Sequence, residues 1–199
     1  MKQGEIAAVV VAAGRGERAG SGTDGPKQYR RVGGRPVIRH TLEALASSGV
    51  VGRIVAAIHP DDGGLFADAV SGLAGDVAAV HGGATRQEST LRALEVLAGD
   101  PPAFVMIHDG VRPFIDRELL ARIAAELSVG HGVLPALPVT DTIKRIGAAG
   151  DVAATVPRDT LRAAQTPQAF PFTAILDAHR RAAAEGRSDF TDDCAVAEW

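Results

Sequence analysis

At 199 residues the chain is long enough to bury one full core, and a single domain is expected over residues 1–199. With 46% hydrophobic residues and a formal charge of −3, it is neither a disordered tail nor a polybasic protein, so no nucleic-acid partner is expected. Cys194 is the only cysteine, which leaves no disulfide framework or thiolate-rich metal site within one chain and suits a small buried hydrophobe. No apolar run approaches the roughly 18 residues of a membrane span, and no leader pattern opens the sequence, so no membrane partner and a cytoplasmic location are expected.

Strand-like and helix-like runs alternate along the chain. Ile6 to Val11, Arg53 to Ile58, Val77 to Val80, Phe104 to Ile107 and Val133 to Leu137 are short and apolar on both faces, as strands covered by helices are. Between them apolar residues recur at helical spacing: Val37, Ile38, Thr41, Leu42 and Leu45, then Leu91, Leu94 and Leu97, then Leu119, Leu120, Ile123 and Leu127. Asp116 is the expected N-cap of the third helix and Thr191 that of a last helix through Val196. Gly49, Gly99 and Gly130 mark the expected stops. This order predicts an α/β fold, a doubly wound, mostly parallel sheet with ligands at the carboxyl ends of its strands. Val139 to Gln168 interrupts the alternation: Thr140 to Ile146 and Val152 to Val156 flank a Gly/Ala/Asp turn and predict a protruding β-hairpin. A two-stranded hairpin is marginal in water, so this arm, about residues 139–168, is expected to lean on its own domain or on a second subunit.

The segment after the first strand carries the most chemistry. Ala12 to Tyr29 reads AAGRGERAGSGTDGPKQY, with Gly14, Gly16, Gly20, Gly22 and Gly25 set among Arg15, Arg18 and Lys27. Backbone amides and fixed cations in such a loop suit a polyphosphate; a flexible βα loop with solvated arginines is the plainer alternative. Gly14 to Ala19 matches the letters of the G-x-G-x-x-G/A dinucleotide fingerprint. The glycines and Pro26 that follow exclude a helix there, however, and the next strand-like run ends in His59 rather than an acid, which disfavours an NAD-binding oxidoreductase. A P-loop fails as well, because Pro26 precedes Lys27 and Gln28 stands where the magnesium-binding hydroxyl belongs.

Asp109 ends the apolar run Phe104-Val105-Met106-Ile107, where a carboxylate must be hydrogen-bonded, paired or metal-bound. Its hard oxygens suit Mg²⁺ shared with substrate phosphates; a structural ion pair with Arg112 is the alternative. His108 has no second His or Cys at ligand spacing and is expected to be a hydrogen-bonded scaffold residue, while His59 before Pro60 reads as a loop histidine.

Five segments in order carry a specific resemblance: Ala12-Ala13-Gly14-x-Gly16-x-Arg18 with Pro26-Lys27-Gln28-Tyr29; Gly82-Gly83-Ala84-Thr85-Arg86-Gln87-Glu88-Ser89; His108-Asp109-Gly110-Val111-Arg112-Pro113; Asp141-Thr142-Ile143-Lys144; and Thr155-Val156-Pro157-Arg158 running into Gln165-Thr166-Pro167-Gln168. Over nearly the whole chain they resemble the sugar-phosphate nucleotidyltransferases, and within them the cytidylyltransferases acting on 2-C-methyl-D-erythritol 4-phosphate. The resemblance implies a Rossmann-like nucleotidyltransferase fold and a homodimer in which the arm reaches over the partner. It further implies transfer of CMP from CTP to that polyol phosphate, with Mg²⁺ as cofactor and pyrophosphate as by-product, in isoprenoid precursor synthesis.

Carried over residue by residue, the resemblance implies that Arg18 and Lys27 stabilise the transition state at the α-phosphate and that Arg158 positions the attacking phosphate. It lays the nucleotide along Ala12, Ala13, Gly14, Arg15 and Gly16, with the base near Gly82 and Gly83 and the ribose near Ser89. Arg112 and Thr142 would touch the polyol, and Asp109 the metal. Two departures stand out. Some members carry an acid where this chain has Ala84, which offers only its backbone to the cytosine. The family also continues past Trp199 through a last strand and a second substrate-positioning lysine, so a truncated chain or the front of a longer protein is expected. A ribitol 5-phosphate cytidylyltransferase shares the glycine loop and aspartate motifs and stays open as an alternative, as does a non-catalytic nucleotide sensor.

Overall fold

Strands apolar on both faces need cover on both sides, and the computed structural model, which describes residues 5–15 and 25–199, supplies it with helices on each face of a five-stranded sheet. In chain order the elements are β1 (Ile6–Ala12), β2 (Arg31–Val32), β3 (Arg35–Pro36), α1 (Val37–Ala46), β4 (Arg53–Ile58), α2 (Gly63–Val70), β5 (Val77–His81), α3 (Arg86–Leu97), β6 (Phe104–Asp109) and α4 (Arg117–Glu126). They continue with β7 (Ala136–Pro138), β8 (Ile143–Ile146), β9 (Val152–Val156), β10 (Arg162–Ala164), β11 (Gln168–Pro171), α5 (Phe172–Ala184) and α6 (Asp193–Glu198). No helix among the described residues is long and apolar enough to cross a membrane.

The main sheet runs β11-β6-β1-β4-β5, with β6, β1, β4 and β5 parallel and β11 antiparallel at the edge. Alternate residues go to opposite faces. Ala8, Val10, Ile54, Ala56 and Met106 meet Ile38, Leu42 and Leu45 of α1, Phe66 of α2 and Leu120 and Ile123 of α4. Ala7, Val9, Val55, Ala57, Val105 and Ile107 meet Leu94 and Leu97 of α3 and Ile175 and Leu176 of α5. The mostly parallel, doubly wound fold expected from the sequence is therefore present, its two cores separated by the sheet.

Several local expectations need correction. Val133 to Leu137 does not join the parallel sheet: Val133 makes a single antiparallel bridge to Ala169, and Ala136–Pro138 pairs instead with Arg162–Ala164. Pro135 and Pro138 have no amide hydrogen to give a central ladder, which confines this run to an edge. The place beside β6 is taken by β11, read from sequence only as part of a motif. The helix α4 stops at Glu126, ahead of Gly130, and a bridge between Ser128 and His131 follows. The last helix is capped by Asp192, not Thr191; the Asp192 side chain accepts from the Ala195 amide at 2.9 Å. The helices α2 and α5 and the β2–β3 hairpin lack counterparts in the sequence reading. That hairpin turns through Gly33 and Gly34, whose φ of 57° and 80° suit the two central residues of a tight turn that follows strand twist.

The hairpin expected in the arm is present as β8 and β9, antiparallel and paired only with each other among the described residues. At its base β7 and β10 form a second two-stranded piece. Ile146 and Val152 are 55% and 60% exposed, so the hairpin's own chain leaves it largely uncovered.

Core burial should outweigh capping in stability. Leu94→Ala, at a fully buried position, should cost about 2–5 kcal/mol. Asp116→Ala, which removes the acceptor of the Leu119 amide at 2.7 Å, should cost about 1 kcal/mol. Urea unfolding of the two variants measures both, and the opposite ranking would contradict this account of the core.

Candidate active site

Strand register decides which loops meet. Asp109 lies beside Val11 and Val11 beside Ala57, while Ala12 lies beside Ile58 and Ile58 beside His81. The segments leaving β1, β4, β5 and β6 thus emerge along one edge of the sheet, the carboxyl edge where open α/β sheets bind ligands. Their backbones come very close. A Cβ on Gly82 would overlap the Ala13 methyl and sit 2.8 Å from Ser89 Oγ, and one on Gly110 would sit 3.0 Å from the Ala12 methyl. Here a glycine's missing side chain is what lets three loops share one floor.

Gln28 anchors the glycine segment to that floor. Buried within the short turn Lys27–Tyr29, its Nε2 donates to Ala12 O at 2.8 Å and Gly14 O at 3.2 Å. Exposed Lys27 is the chain neighbour of this anchor. Arg15 turns toward the loop after β4 and pairs with Asp62 at 2.9 Å and Asp61 at 2.8 Å, next to His59. Its guanidinium thus faces carboxylates of the neighbouring loop. His59 is a loop residue, as expected, and its Nδ1 accepts from the Asp61 amide at 3.1 Å. Tyr29 is partly buried over the same spot; desolvation first, then Asp62, pushes its phenol above the ordinary range. Gly16 and Arg18 lie outside the described residues.

The start of α3 fixes the second loop. Thr85 caps it by accepting from the Glu88 amide at 3.0 Å, and Glu88 reaches back to the Ala84 amide at 2.8 Å. That amide, followed by Arg92, holds the Glu88 carboxyl below its usual range. Buried Ser89 accepts from the Gly83 amide at 3.0 Å and donates to Thr85 O at 2.8 Å, so its hydroxyl shapes the Gly82–Gly83 turn.

The third loop carries the charges. Asp109 Oδ1 accepts from Arg86 Nε at 3.3 Å and Oδ2 from Arg112 Nε at 3.0 Å; Arg112 Nη1 also donates to Gln165 Oε1 at 2.7 Å. The structural pair with Arg112 is therefore present, yet the Asp109 side chain keeps 26% exposure. Beneath it His108 is wholly buried, and desolvation lowers its pKa, so the ring is neutral. Its Nε2 faces Arg112 O at 2.9 Å and must donate; its Nδ1, 2.9 Å from Thr166 Oγ1, then accepts. This is the scaffold role expected of His108.

Among the described residues no three His, Cys, Asp or Glu side chains gather to cage a metal. A lone half-open carboxylate with lone pairs to spare fits Mg²⁺, which takes one or two protein carboxylates and completes its shell with phosphates and water. Thr142 and Arg158 are exposed on the arm, where Arg158 Nη1 donates to Thr140 O; no hydrogen bond or ion pair among the described residues links either to Asp109. From the residues alone Arg86 marks local positive charge suited to an anionic substrate, while Gln28 and Thr166 have no assigned role. All three sit inside the quoted motifs, but only folding shows which way they face.

Fold and site together define an α/β domain of nucleotidyltransferase type. Residues 6–199 match the family model described as 2-C-methyl-D-erythritol 4-phosphate cytidylyltransferase, and the chain belongs to that family. It is 61% identical over 194 residues to a protein of Chelativorans sp. (strain BNC1) named "Bifunctional enzyme IspD/IspF", covering 98% of this chain and 48% of that protein. A Brucella anthropi protein of the same name is 56% identical over 195 residues, again covering 98% and 48%. The chain thus spans about half the length of these relatives. Among solved structures, the 4-diphosphocytidyl-2C-methyl-D-erythritol synthase of Anaerococcus prevotii superposes with a TM-score of 0.82 at 33% identity, covering 97% of this chain and 82% of that one. The 2-C-methyl-D-erythritol 4-phosphate cytidylyltransferase of Thermus thermophilus gives 0.72 at 31%, covering 97% and 83%.

Removing the Gln28 anchor leaves the Ala12 and Gly14 carbonyls short of a donor. Gln28→Ala should cost about 1–3 kcal/mol in urea unfolding. An unchanged midpoint would mean that the glycine segment is held by other contacts.

Proposed function

We propose that the chain transfers CMP from CTP to 2-C-methyl-D-erythritol 4-phosphate, releasing pyrophosphate and giving 4-diphosphocytidyl-2-C-methyl-D-erythritol. One observation carries the reading: the ends of β1, β5 and β6 bring Ala12 to Arg15, Gly82 to Gly83 and the Asp109–Arg112 pair to one edge of the sheet, in a chain of this family. The description of the matching family and the names of the solved structures support the same substrate. CTP would lie along the β1 loop, its base against Gly82 and Gly83, where backbone groups read a pyrimidine edge.

The chemistry follows from charge. The attacking phosphomonoester, with a second pKa of about 6, is already a dianion near neutral pH and needs no general base. Its oxygen bonds to the α-phosphorus as the bond to the bridging oxygen breaks, and the electron pair leaves with pyrophosphate. Repulsion between dianion and triphosphate is the obstacle, so positioned cations carry the catalysis. Lys27 supplies a point charge at the α-phosphate, joined by Arg18, and the planar fork of Arg158 suits bidentate holding of the acceptor phosphate. Arg112 and Thr142 would take the polyol hydroxyls. Asp109 is the residue that would hold Mg²⁺, which supplies charge neutralisation on the triphosphate. Pyrophosphate release with CTP and each polyol phosphate tests the assignment; activity with ribitol 5-phosphate alone overturns it.

Lys27→Ala and Arg18→Ala should each lower kcat by about 10²–10³ with little change in KM for CTP, because a preorganised charge acts mainly on the transition state. Steady-state kinetics decides, and a raised KM with unchanged kcat contradicts the assigned role.

The arm supports a homodimer in which Arg158 serves the partner's site. Among the described residues its hairpin is largely uncovered, and Phe114 and Leu137 near its base are 92% and 57% exposed. In reassorted mixtures of Lys27→Ala and Arg158→Ala proteins, half the dimers would be mixed, each with one intact site of two. Activity should then recover to about a quarter of wild type. No recovery would mean that Arg158 acts within its own chain.

A further inference from the structure

Asp109 is the outer end of a line of charges that runs into the interior. Arg86, the first residue of α3, directs Nε to Asp109 Oδ1 at 3.3 Å and Nη1 to Asp193 Oδ2 at 2.8 Å. Asp193, the first residue of α6, and His179 of α5 are both about 1% exposed and lie 3.2 Å apart, Oδ1 to Nε2. Among the described residues none of these Asp193 and His179 atoms has a partner in good hydrogen-bond geometry, although the groups lie close together. Burial works against an ionised Asp193, but His179 and Arg86 outweigh it and keep the carboxyl below its ordinary range. Arg86 is likewise held charged against burial by Asp193 and Asp109.

Simple attachment of α6 does not need these side chains. Gln168 already fastens it: Oε1 accepts from the amides of Asp193 and Cys194 at 3.0 Å each, and Nε2 donates to Asp192 Oδ2 at 2.8 Å. Val196 adds a buried apolar contact. A buried charge used only as glue is a poor device, since well-packed apolar residues serve as well or better. The geometry at Arg86 suggests another use. Its planar fork faces two carboxylates at once, so the position of buried Asp193 sets the plane in which Nε meets Asp109. Asp193 also balances Arg86; without it, Asp109 would face two guanidinium groups with no second carboxylate to share them.

We propose that Asp193 and His179 are positioning residues for the active site: they hold the Arg86 guanidinium from behind, and Arg86 orients the Asp109 carboxylate to receive a divalent cation and its triphosphate. This rests on the cytidylyl-transfer reading given above. It ties the start of α6, far along the chain, to the end of β6.

The test uses the full-length polypeptide and Mn²⁺ as the probe. Paramagnetic titration of Mn²⁺ in the presence of CTP, alongside kcat and KM, is done for wild type, Asp193→Asn, Arg86→Gln and the double variant. Outer partners of a metal-binding carboxylate typically matter 10–100-fold, so Asp193→Asn should weaken Mn²⁺ binding and lower kcat by about that much. KM for CTP should stay within about twofold, and in the Arg86→Gln background the same change should add no more than about twofold. Should Asp193→Asn fail to fold, His179→Gln and Arg86→Lys are read in the same way; Arg86→Lys keeps the charge but loses the fork. Unchanged Mn²⁺ binding in the variants, or fully additive losses in the double variant, overturns the proposal. A wild-type protein that binds Mn²⁺ with CTP but releases no pyrophosphate sinks the assigned reaction instead, and the titration still reads the positioning.

Discussion

The pairing of β1 with β4 on one side and β6 on the other fixes every loop that meets at the candidate site. Both faces of these strands are apolar, so polarity cannot choose their register as it does in a half-exposed sheet. Size does. Ala7, Ala8, Ala56 and Ala57 on the two central strands leave room for Leu42 and Leu45 on one face and Leu94 and Leu97 on the other. A slip by one residue would exchange the faces and carry Asp109 away from Val11. The close approach of Gly82 and Gly110 to Ala13 and Ala12 depends on the same register.

Charge at this edge is arranged in pairs that cross between loops. Arg15 of the first loop meets Asp62 after β4; Arg86 after β5 meets Asp109 after β6 and Asp193 of α6; Arg112 closes on Asp109 from its own loop. Each pair restricts a long cationic side chain to one place. Arg15 and Arg112 remain partly exposed, whereas the Arg86–Asp193 contact is anchored by a buried carboxylate.

The arm obeys different rules. The β8–β9 hairpin has two strands, exposed Ile146 and Val152, and among the described residues no pairing with the main sheet. Such a piece gains little from its own chain. Its order is expected to come from whatever surface lies against it, and that surface would also bring Thr142 and Arg158 to a site.

Several features were readable from the residues by themselves: the four parallel strands, the helices α1, α3 and α4, the Asp116 cap, the hairpin in the arm, and the order of motifs at strand ends. These are local signals, since apolar periodicity, capping chemistry and turn residues act within a few positions of the chain. Others waited for the tertiary structure. Val133 to Leu137 reads as a core strand until Pro135, Pro138 and the competing segment Gln168–Pro171 are seen together beside β6. Asp109 and Arg112 could be paired from a spacing of three, but Arg86 and Asp109 are 23 residues apart and Asp193 lies further still. Gln28, in a quoted motif, turned out to be the buried clasp of Ala12 and Gly14. The sequence alone determined which elements form and which chemistry is carried; only folding decided which charges face each other, because that depends on register and packing between segments that local pattern does not link.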